Sequence, residues 1–197
     1  MEKPQEIKVT IKKWANPTPA GLVALGVACF AFFALLNGFV EPSAMPLLGC
    51  WLIGGFLVQV IVALIDFKGG NCAGGNTFLY FSAFFMLVGG LEMFIKSGGG
   101  VDARIDGYAW MVLALALLLW TPAFLKSFSL LSLIVLALDV ALPFITLIDL
   151  GVLSGDFKPV PAYALLVAGI IAIYLSGAIV VNTVFGRKIY PVIEKKK

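Results

Sequence analysis

Six long runs of apolar residues occupy most of this 197-residue chain and limit its fold more than any other feature. An α-helix needs about 20 apolar residues to cross the hydrocarbon core of a bilayer. Short segments rich in glycine, proline or charge separate the runs, as is typical of turns between spans. The predicted spans are roughly 19–40, 43–65, 75–95, 107–125, 128–150 and 160–184. The sequence therefore predicts an all-α membrane protein with six transmembrane helices in one bundle.

The composition agrees with a membrane protein. Hydrophobic residues make up 61% of the chain and charged residues 13%, and the mean hydropathy is +1.03. These values lie outside the range of soluble domains. The net charge of +3 comes mainly from the two tails. Basic tails without a basic face argue against a nucleic-acid partner. The predicted partner of the apolar helices is membrane lipid.

Several chemical functions are excluded or disfavoured by the residues that are present. The chain has no histidine, which excludes a His-based catalytic triad and a His-ligated metal site. Cys29, Cys50 and Cys72 lie in or beside apolar runs without a C-x-x-C spacing, so we interpret them as packing residues. No paired-carboxylate or nucleophile motif indicates an enzyme. No metal and no cofactor are predicted.

The distribution of lysine and arginine predicts the orientation. Eleven of the 14 lie in the tails and in loops on one side, and only Lys96, Arg104 and Lys158 lie on the other. By the positive-inside rule both termini are cytoplasmic. The first, third and fifth helices then begin on the cytoplasmic side beside Lys68, an arrangement expected to attract small anions. The predicted division is a tail over 1–15, a transmembrane domain over 16–185 and a tail over 186–197.

The segment that opens the first span has the features of a helix start. Asn16 is a favourable N-cap, because its side chain can accept from the free amides of the first turn. Pro17 and Pro19 occupy positions where a missing N–H costs little. Gly21 has no side chain, so a ligand could approach the backbone there. An anion site at this N-terminus and an ordinary helix start after a polar tail both fit the pattern.

Polar residues inside the apolar runs are candidates for a transport pathway, since such groups are costly in a bilayer. They are Gln59, Glu92, Asp139 and Asp149. Glu92 and Asp149 lie near the predicted outer ends, where they can reach water. Asp139 lies about halfway along the fifth span, four residues before Pro143. It is either a proton or ligand site or part of a hydrogen-bonded structural kink.

Small residues recur every four positions in the sixth span, at Ala164, Ala168, Ala172 and Ser176. This spacing allows close approach of helices in lipid. Packing within one subunit and packing between subunits are both compatible with it.

Three segments of the chain resemble the acetate uptake transporter family, the group of the succinate–acetate permeases. Asn16, Pro17, Pro19, Gly21 and Leu22 match the family signature N-P-A-P-L-G-L-x-G-F, while Thr18, Ala20 and Leu25 depart from it. The segment Asp66-Phe67-Lys68-Gly69-Gly70-Asn71 resembles the family's E-Y-K-K-G-N. Ala172-Ile173-Tyr174-Leu175, with Phe185-Gly186-Arg187 and Pro191, resembles its last helix and C-terminal tail. The similarity spans nearly the whole chain.

The resemblance implies a channel or transporter for acetate and related small monocarboxylates, with succinate as a further candidate substrate. It implies a location in the cell (inner) membrane and a homohexamer in which each subunit has its own pore. Whether transport is coupled to protons is left open. The substrate-binding residues that it implies are Asn16, Pro17, Pro19, Gly21, Leu22, Asn71, Ala172 and Tyr174.

The resemblance also implies a pore constriction at Leu25, Phe81 and Leu138. The family usually has phenylalanine at the first position and tyrosine at the second, so this constriction loses one ring and one hydroxyl. Asp139 stands where the family has a small hydroxyl residue, and no role is carried over to it.

Two other classes of function remain as alternatives. One is a neutral small-solute channel of the urea/amide type, which the Asn-Pro-x-Pro start and the Phe-Gly-Arg tail argue against. The other is a membrane enzyme or sensor, which the missing histidine and the lack of catalytic motifs disfavour.

Overall fold

The computed structural model describes residues 14–193. Within this range all regular structure is helical, and six helices are long and apolar enough to cross a membrane. The predicted fold class is therefore confirmed. Most of the predicted N-terminal tail and the last four residues lie outside the described part of the chain.

The six helices are α1 Thr18–Leu36, α2 Met45–Lys68, α3 Cys72–Ser97, α4 Arg104–Leu125, α5 Leu130–Asp149 and α6 Pro159–Phe185. Single 3₁₀ turns at Pro42–Ala44 and Gly155–Phe157 lead into α2 and α6.

The first helix ends earlier than hydropathy predicts, at Leu36 rather than near residue 40. Gly38 has a φ of +70°, a conformation that is open to glycine and that stops a helix. The amides of Gly38 and Phe39 donate to the carbonyls of Leu35 and Ala34. This is the Schellman arrangement, and it satisfies the carbonyls that the helix end leaves free.

The helices pack around one hydrophobic core, and most neighbours in the chain are also neighbours in space. The sixth helix packs back on α1. Between α3 and α4 the contact is made largely by aromatic side chains: the ring centroids of Tyr80 and Trp120 lie 5.6 Å apart, and those of Phe85 and Trp110 lie 5.8 Å apart. The result is a closed ring of six helices.

The small-residue stripe of α6 faces α1 of the same chain. Ala168 and Ala172 are fully buried, and the Ser176 hydroxyl donates to the carbonyl of Pro19 over 2.9 Å. A Cβ atom on the neighbouring Gly169 would lie 2.9 Å from Cys29 Cβ. Packing within the subunit therefore explains these small residues.

The middle of α3 is a π-helix over Phe81–Val88, which the sequence analysis did not anticipate. A π segment changes the direction in which the following side chains point, and such segments are frequent at functional sites. Here it begins at Phe81, one of the three predicted constriction residues.

Candidate functional site

A small cavity of about 40 Å³ lies inside the bundle, toward the end at which α3 and α5 begin, between the side chains of α1 to α5. It has room for only about three water molecules. Its lining residues are Leu22, Leu25, Gln59, Gly74, Thr77, Phe78, Phe81, Phe124, Leu131, Ile134, Val135 and Leu138. This lining contains two polar side chains, Gln59 and Thr77, and no charged one.

The three predicted constriction residues meet at this cavity. Leu25 comes from α1, Phe81 from α3 and Leu138 from α5, and all three line it. Each is almost fully buried, with exposures of 5%, 4% and 3%. The Phe81 ring packs edge-on against Phe85, with centroids 5.8 Å apart. The structure thus brings the three residues together, while their role in selecting a solute stays a prediction.

Gln59 and Thr77 are the polar residues of the lining, but their polar atoms do not form part of the cavity wall, which is apolar. Gln59 is 1% exposed, and its Nε2 donates to the carbonyl of Gly21 over 3.3 Å. Its Oε1 and the Thr77 hydroxyl are buried and have no hydrogen-bond partner in the described part of the chain. Gln59 is recognisable in the sequence as a polar residue within a span. Thr77 was not predicted as a site residue, although it precedes Phe81 by one helical turn and thus shares its face.

The start of α1 is held by contacts within the protein. The Asn16 side-chain oxygen accepts from the amide of Thr18 over 3.0 Å, so it caps the first turn. Pro17 precedes the helix and Pro19 lies in its first turn. A Cβ atom on Gly21 would lie 2.5 Å from the Phe78 ring. The space beside Gly21 is therefore filled by Phe78, which explains the glycine by helix packing rather than by ligand approach.

The turn between α2 and α3 is organised by Asn71. Its side-chain oxygen accepts from the amide of Gly74 over 3.0 Å, and its Nδ2 donates to the buried carboxylate of Asp66 over 3.2 Å. Asn71 itself is exposed and lies outside the cavity lining, whereas Gly74 is part of it. Asp66 lies beside Gly74, since a Cβ there would be 2.5 Å from Asp66 Oδ2.

The helix starts at this end are less available to anions than the sequence suggests. Besides the caps of Asn16 and Asn71, Ser129 and Ser132 form a capping box at the start of α5. Lys68 Nζ lies 4.4 Å from the centroid of the Trp14 ring. Side chains of the protein thus already bind amides at the starts of α1, α3 and α5, and the Lys68 ammonium lies against Trp14. The attraction of anions expected at this end of the bundle is therefore weakened.

Asp139 points toward α4. The Thr121 hydroxyl lies 2.6 Å from Asp139 Oδ2 and 2.9 Å from the carbonyl oxygen of Leu117. Asp139 Oδ1 is buried without a partner among the described residues. Asp139 is absent from the cavity lining, although its neighbour Leu138 belongs to it. Consecutive helix positions are about 100° apart, which accounts for the difference.

The two remaining predicted site residues lie on α6, outside the cavity lining. Ala172 is buried in the core. The Tyr174 hydroxyl donates to the carbonyl of Pro191 over 2.7 Å. Asn182, which the sequence analysis did not note, holds the same segment: its side-chain oxygen accepts from the amides of Ile189 and Tyr190. Tyr174 and Asn182 therefore fasten the C-terminal segment against α6, and the substrate role of Tyr174 stays a prediction.

Among residues 14–193, all three ion pairs lie at the opposite end of the bundle. Lys96 Nζ lies 3.1 Å from Glu92 Oε2 and also pairs with Asp106. Arg104 pairs with Asp102 over 2.6 Å. The hydrogen bonds that the Arg104 side chain and backbone amide donate to the exposed Asp102 carboxyl lower its pKa to about 2. The polar position of Glu92 is thus explained by an ion pair at the helix end.

Comparison with known proteins gives relatives over almost the full chain. No family model matches the sequence. The succinate-acetate/proton symporter SatP of Escherichia coli (strain K12) is 25% identical over 187 residues, covering 91% of this chain and 96% of the symporter. The proteins of the same name from Escherichia coli O157:H7 and Shigella flexneri match equally well.

A solved structure shares the fold. The structure of the bacterial acetate channel SatP superimposes with a TM-score of 0.81 and 22% sequence identity, covering 92% of this chain and 100% of that one. Sequence and fold together confirm the resemblance of this chain to the acetate uptake transporter family.

Proposed function

We propose that this protein is a multi-pass channel or transporter of the cell (inner) membrane that passes acetate and related small monocarboxylates. The observation that carries the proposal is the cavity shared by Leu25, Phe81 and Leu138, inside a bundle with the fold of an acetate channel. Relatives named as succinate-acetate/proton symporters support the same class of substrate.

The character of the cavity fits a small and weakly hydrated solute. An apolar constriction resists a hydrated ion, because the ion would lose its water without gaining polar contacts. About 40 Å³ leaves little room for a larger solute without movement of the side chains. Acetate must therefore shed water or gain a proton to pass, and either process favours small acids.

The proposal extends to a homohexamer with one pore in each subunit. Its support is the family resemblance together with the position of the cavity, which is lined by the helices of one chain. A pore enclosed by one subunit needs no partner to complete it, so assembly would serve stability rather than the transport path.

The direct test is uptake of labelled acetate into proteoliposomes. We expect uptake above that of protein-free liposomes, and we expect Leu138→Trp to abolish the difference because the larger ring fills the cavity. Leu119→Trp is the matched control, since Leu119 is 79% exposed on the outside of the bundle. Each variant is first checked for an unchanged elution volume in detergent.

Two outcomes would contradict the proposal. One is acetate uptake that equals the protein-free rate. The other is a folded protein that passes urea but not acetate, which would support the neutral-solute alternative.

A further inference from the structure

The α5 helix presents two different faces inside the bundle. The residues of its cavity face recur at helical spacing and line the cavity: Leu131, Ile134, Val135 and Leu138. Its polar face consists of Ser132 and Asp139, which lie about two turns apart on the helix. The polar face contacts α4 through hydrogen bonds. Because both faces belong to one helix, any rotation of α5 about its axis moves them together.

Within the described part of the chain, two side-chain hydrogen bonds join the polar face of α5 to α4. The Ser132 hydroxyl donates to the carbonyl of Phe124 over 2.7 Å, near the start of α5. Two turns later, Asp139 Oδ2 lies 2.6 Å from the Thr121 hydroxyl. Ser132 and Thr121 are both buried. Two attachments along one face hold the rotation of a helix more firmly than either of them alone.

The contact of Asp139 lies where α5 itself is weakened. Pro143 has no N–H, so the carbonyl of Asp139 loses the donor that a regular helix provides. Apolar packing alone gives a helix little preference for one rotation in a bilayer, because lipid is as apolar as the side chains of a neighbouring helix. The hydrogen bond between Asp139 and Thr121 therefore gives this part of α5 a directional contact that its apolar residues do not.

The chemistry of this contact predicts which substitutions keep it. The Thr121 hydroxyl also lies 2.9 Å from the carbonyl oxygen of Leu117, and its single hydrogen cannot serve both acceptors. With a proton on Oδ2, Asp139 donates to Thr121 while Thr121 donates to Leu117. The side-chain amide of asparagine can donate in the same way. Leucine has a similar shape and cannot donate, but it leaves Thr121 bonded to Leu117.

We propose that Asp139 is a positioning residue that, through its hydrogen bond to Thr121, holds Leu138 in the constriction and so limits the size of the acid that passes. This inference rests on the proposed transport function. Leu138 is the adjacent position and lines the cavity, so a rotation of α5 that breaks the bond to Thr121 also displaces Leu138. Asp139 lies outside the cavity lining and therefore acts through Leu138 rather than by contact with the acid.

The ratio of butyrate to acetate uptake into proteoliposomes measures this selection by size. Asp139→Leu removes the hydrogen bond, and we expect the ratio to rise about tenfold, the low end of what a hydrophobic site achieves against one methylene. Asp139→Asn keeps the bond and should keep the ratio of the unmodified protein. Thr121→Val removes the same bond from the side of α4 and should raise the ratio as Asp139→Leu does. Elution volume and melting temperature show whether each variant is folded.

Thr146→Val is the matched control for Thr121→Val. Thr146 is buried in α5, and its hydroxyl donates to the carbonyl of Leu142 in the same helix over 2.9 Å. Its loss should leave the ratio unchanged, because no contact between helices is removed. The double variant with Asp139→Leu and Thr121→Val should raise the ratio no further than Asp139→Leu alone, since both changes remove one shared bond.

The outcomes separate the positioning role from the proposed function. An unchanged ratio in a folded Asp139→Leu protein with robust acetate uptake overturns the positioning role and leaves the transport function intact. A ratio that rises equally in Asp139→Asn overturns it as well, because asparagine keeps the hydrogen bond. If Asp139→Leu does not fold, Thr121→Val and the double variant decide by the same ratio. An unmodified protein without any acetate uptake would instead refute the proposed function, on which the positioning role depends.

Discussion

Phe81 is the largest side chain among the three predicted constriction residues, and its ring centroid lies 4.4 Å from that of Tyr80. Phe81→Ala should widen the cavity and admit longer acids. We expect uptake of lactate and butyrate relative to acetate to rise more in Phe81→Ala than in Leu25→Ala. Truncating a buried phenylalanine costs about 3–5 kcal/mol of stability in any case. A lower melting temperature with unchanged acid preference would show that Phe81 is only a packing residue.

The Asp139→Asn variant tests whether a side chain of the protein exchanges a proton during acetate transport. Its distances to Thr121 fit a structural role, because a proton on Oδ2 would let Asp139 donate to Thr121 while Thr121 donates to Leu117. Asparagine can donate in the same way. We therefore expect Asp139→Asn to leave the pH dependence of acetate uptake unchanged. Loss of that dependence in a folded variant would identify Asp139 as a proton-coupling site.

At the scale of helices, the start of α1 is fitted against α3 through Gly21 and Phe78. A Cβ atom at Gly21 would lie 2.5 Å from the Phe78 ring, so Gly21→Ala should destabilise the protein by about 1–3 kcal/mol. Phe78→Leu removes the ring, and the double variant should recover part of the loss. Melting temperatures in one detergent measure this coupling. Additive losses would show that the two residues do not share the same space.

The N-cap of the same helix, α1, gives a separate test. Asn16→Ala removes only the cap on the Thr18 amide, and its expected cost is about 1 kcal/mol. If Asn16 also binds the substrate, acetate uptake should fall by more than the thermal shift explains. An effect on stability alone would limit Asn16 to capping.

At the scale of the whole molecule, the distribution of lysine and arginine predicts that both termini are cytoplasmic. A reporter fused after Lys197 should report the cytoplasm, and one inserted at Gly99 should report the outside. Gly99 lies in an exposed loop between α3 and α4, where an insertion breaks no helix. Both reporters on the same side would contradict the predicted orientation.

Assembly is tested on the intact protein by native mass spectrometry in mild detergent, where we expect a hexamer. The outside of the bundle is rich in large apolar side chains, such as Leu119 at 79% and Val184 at 77% exposure. Such a surface suits lipid or another subunit. A stable monomer that transports acetate would contradict the need for assembly but not the pore within each subunit.

The sequence alone determined the spans, because a chain in lipid must satisfy its backbone hydrogen bonds within each helix. Hydropathy is a local property, so six helices follow from it without knowledge of their packing. Gln59 and Asp139 were recognisable for the same reason, as polar residues in apolar runs. The resemblance to the acetate uptake transporter family also predicted that Leu25, Phe81 and Leu138 lie together, and all three line one cavity.

Only the tertiary structure decided which way each of these side chains points. The rotation of a helix about its axis depends on contacts with other helices, and a weakly amphipathic span has no strong pattern to reveal it. Asp139 therefore contacts Thr121 while Leu138 lines the cavity. Likewise, Phe78 fills the space beside Gly21, and the buried Thr77 hydroxyl has no hydrogen-bond partner within residues 14–193. These are relations between distant segments, and they arise only when the helices pack.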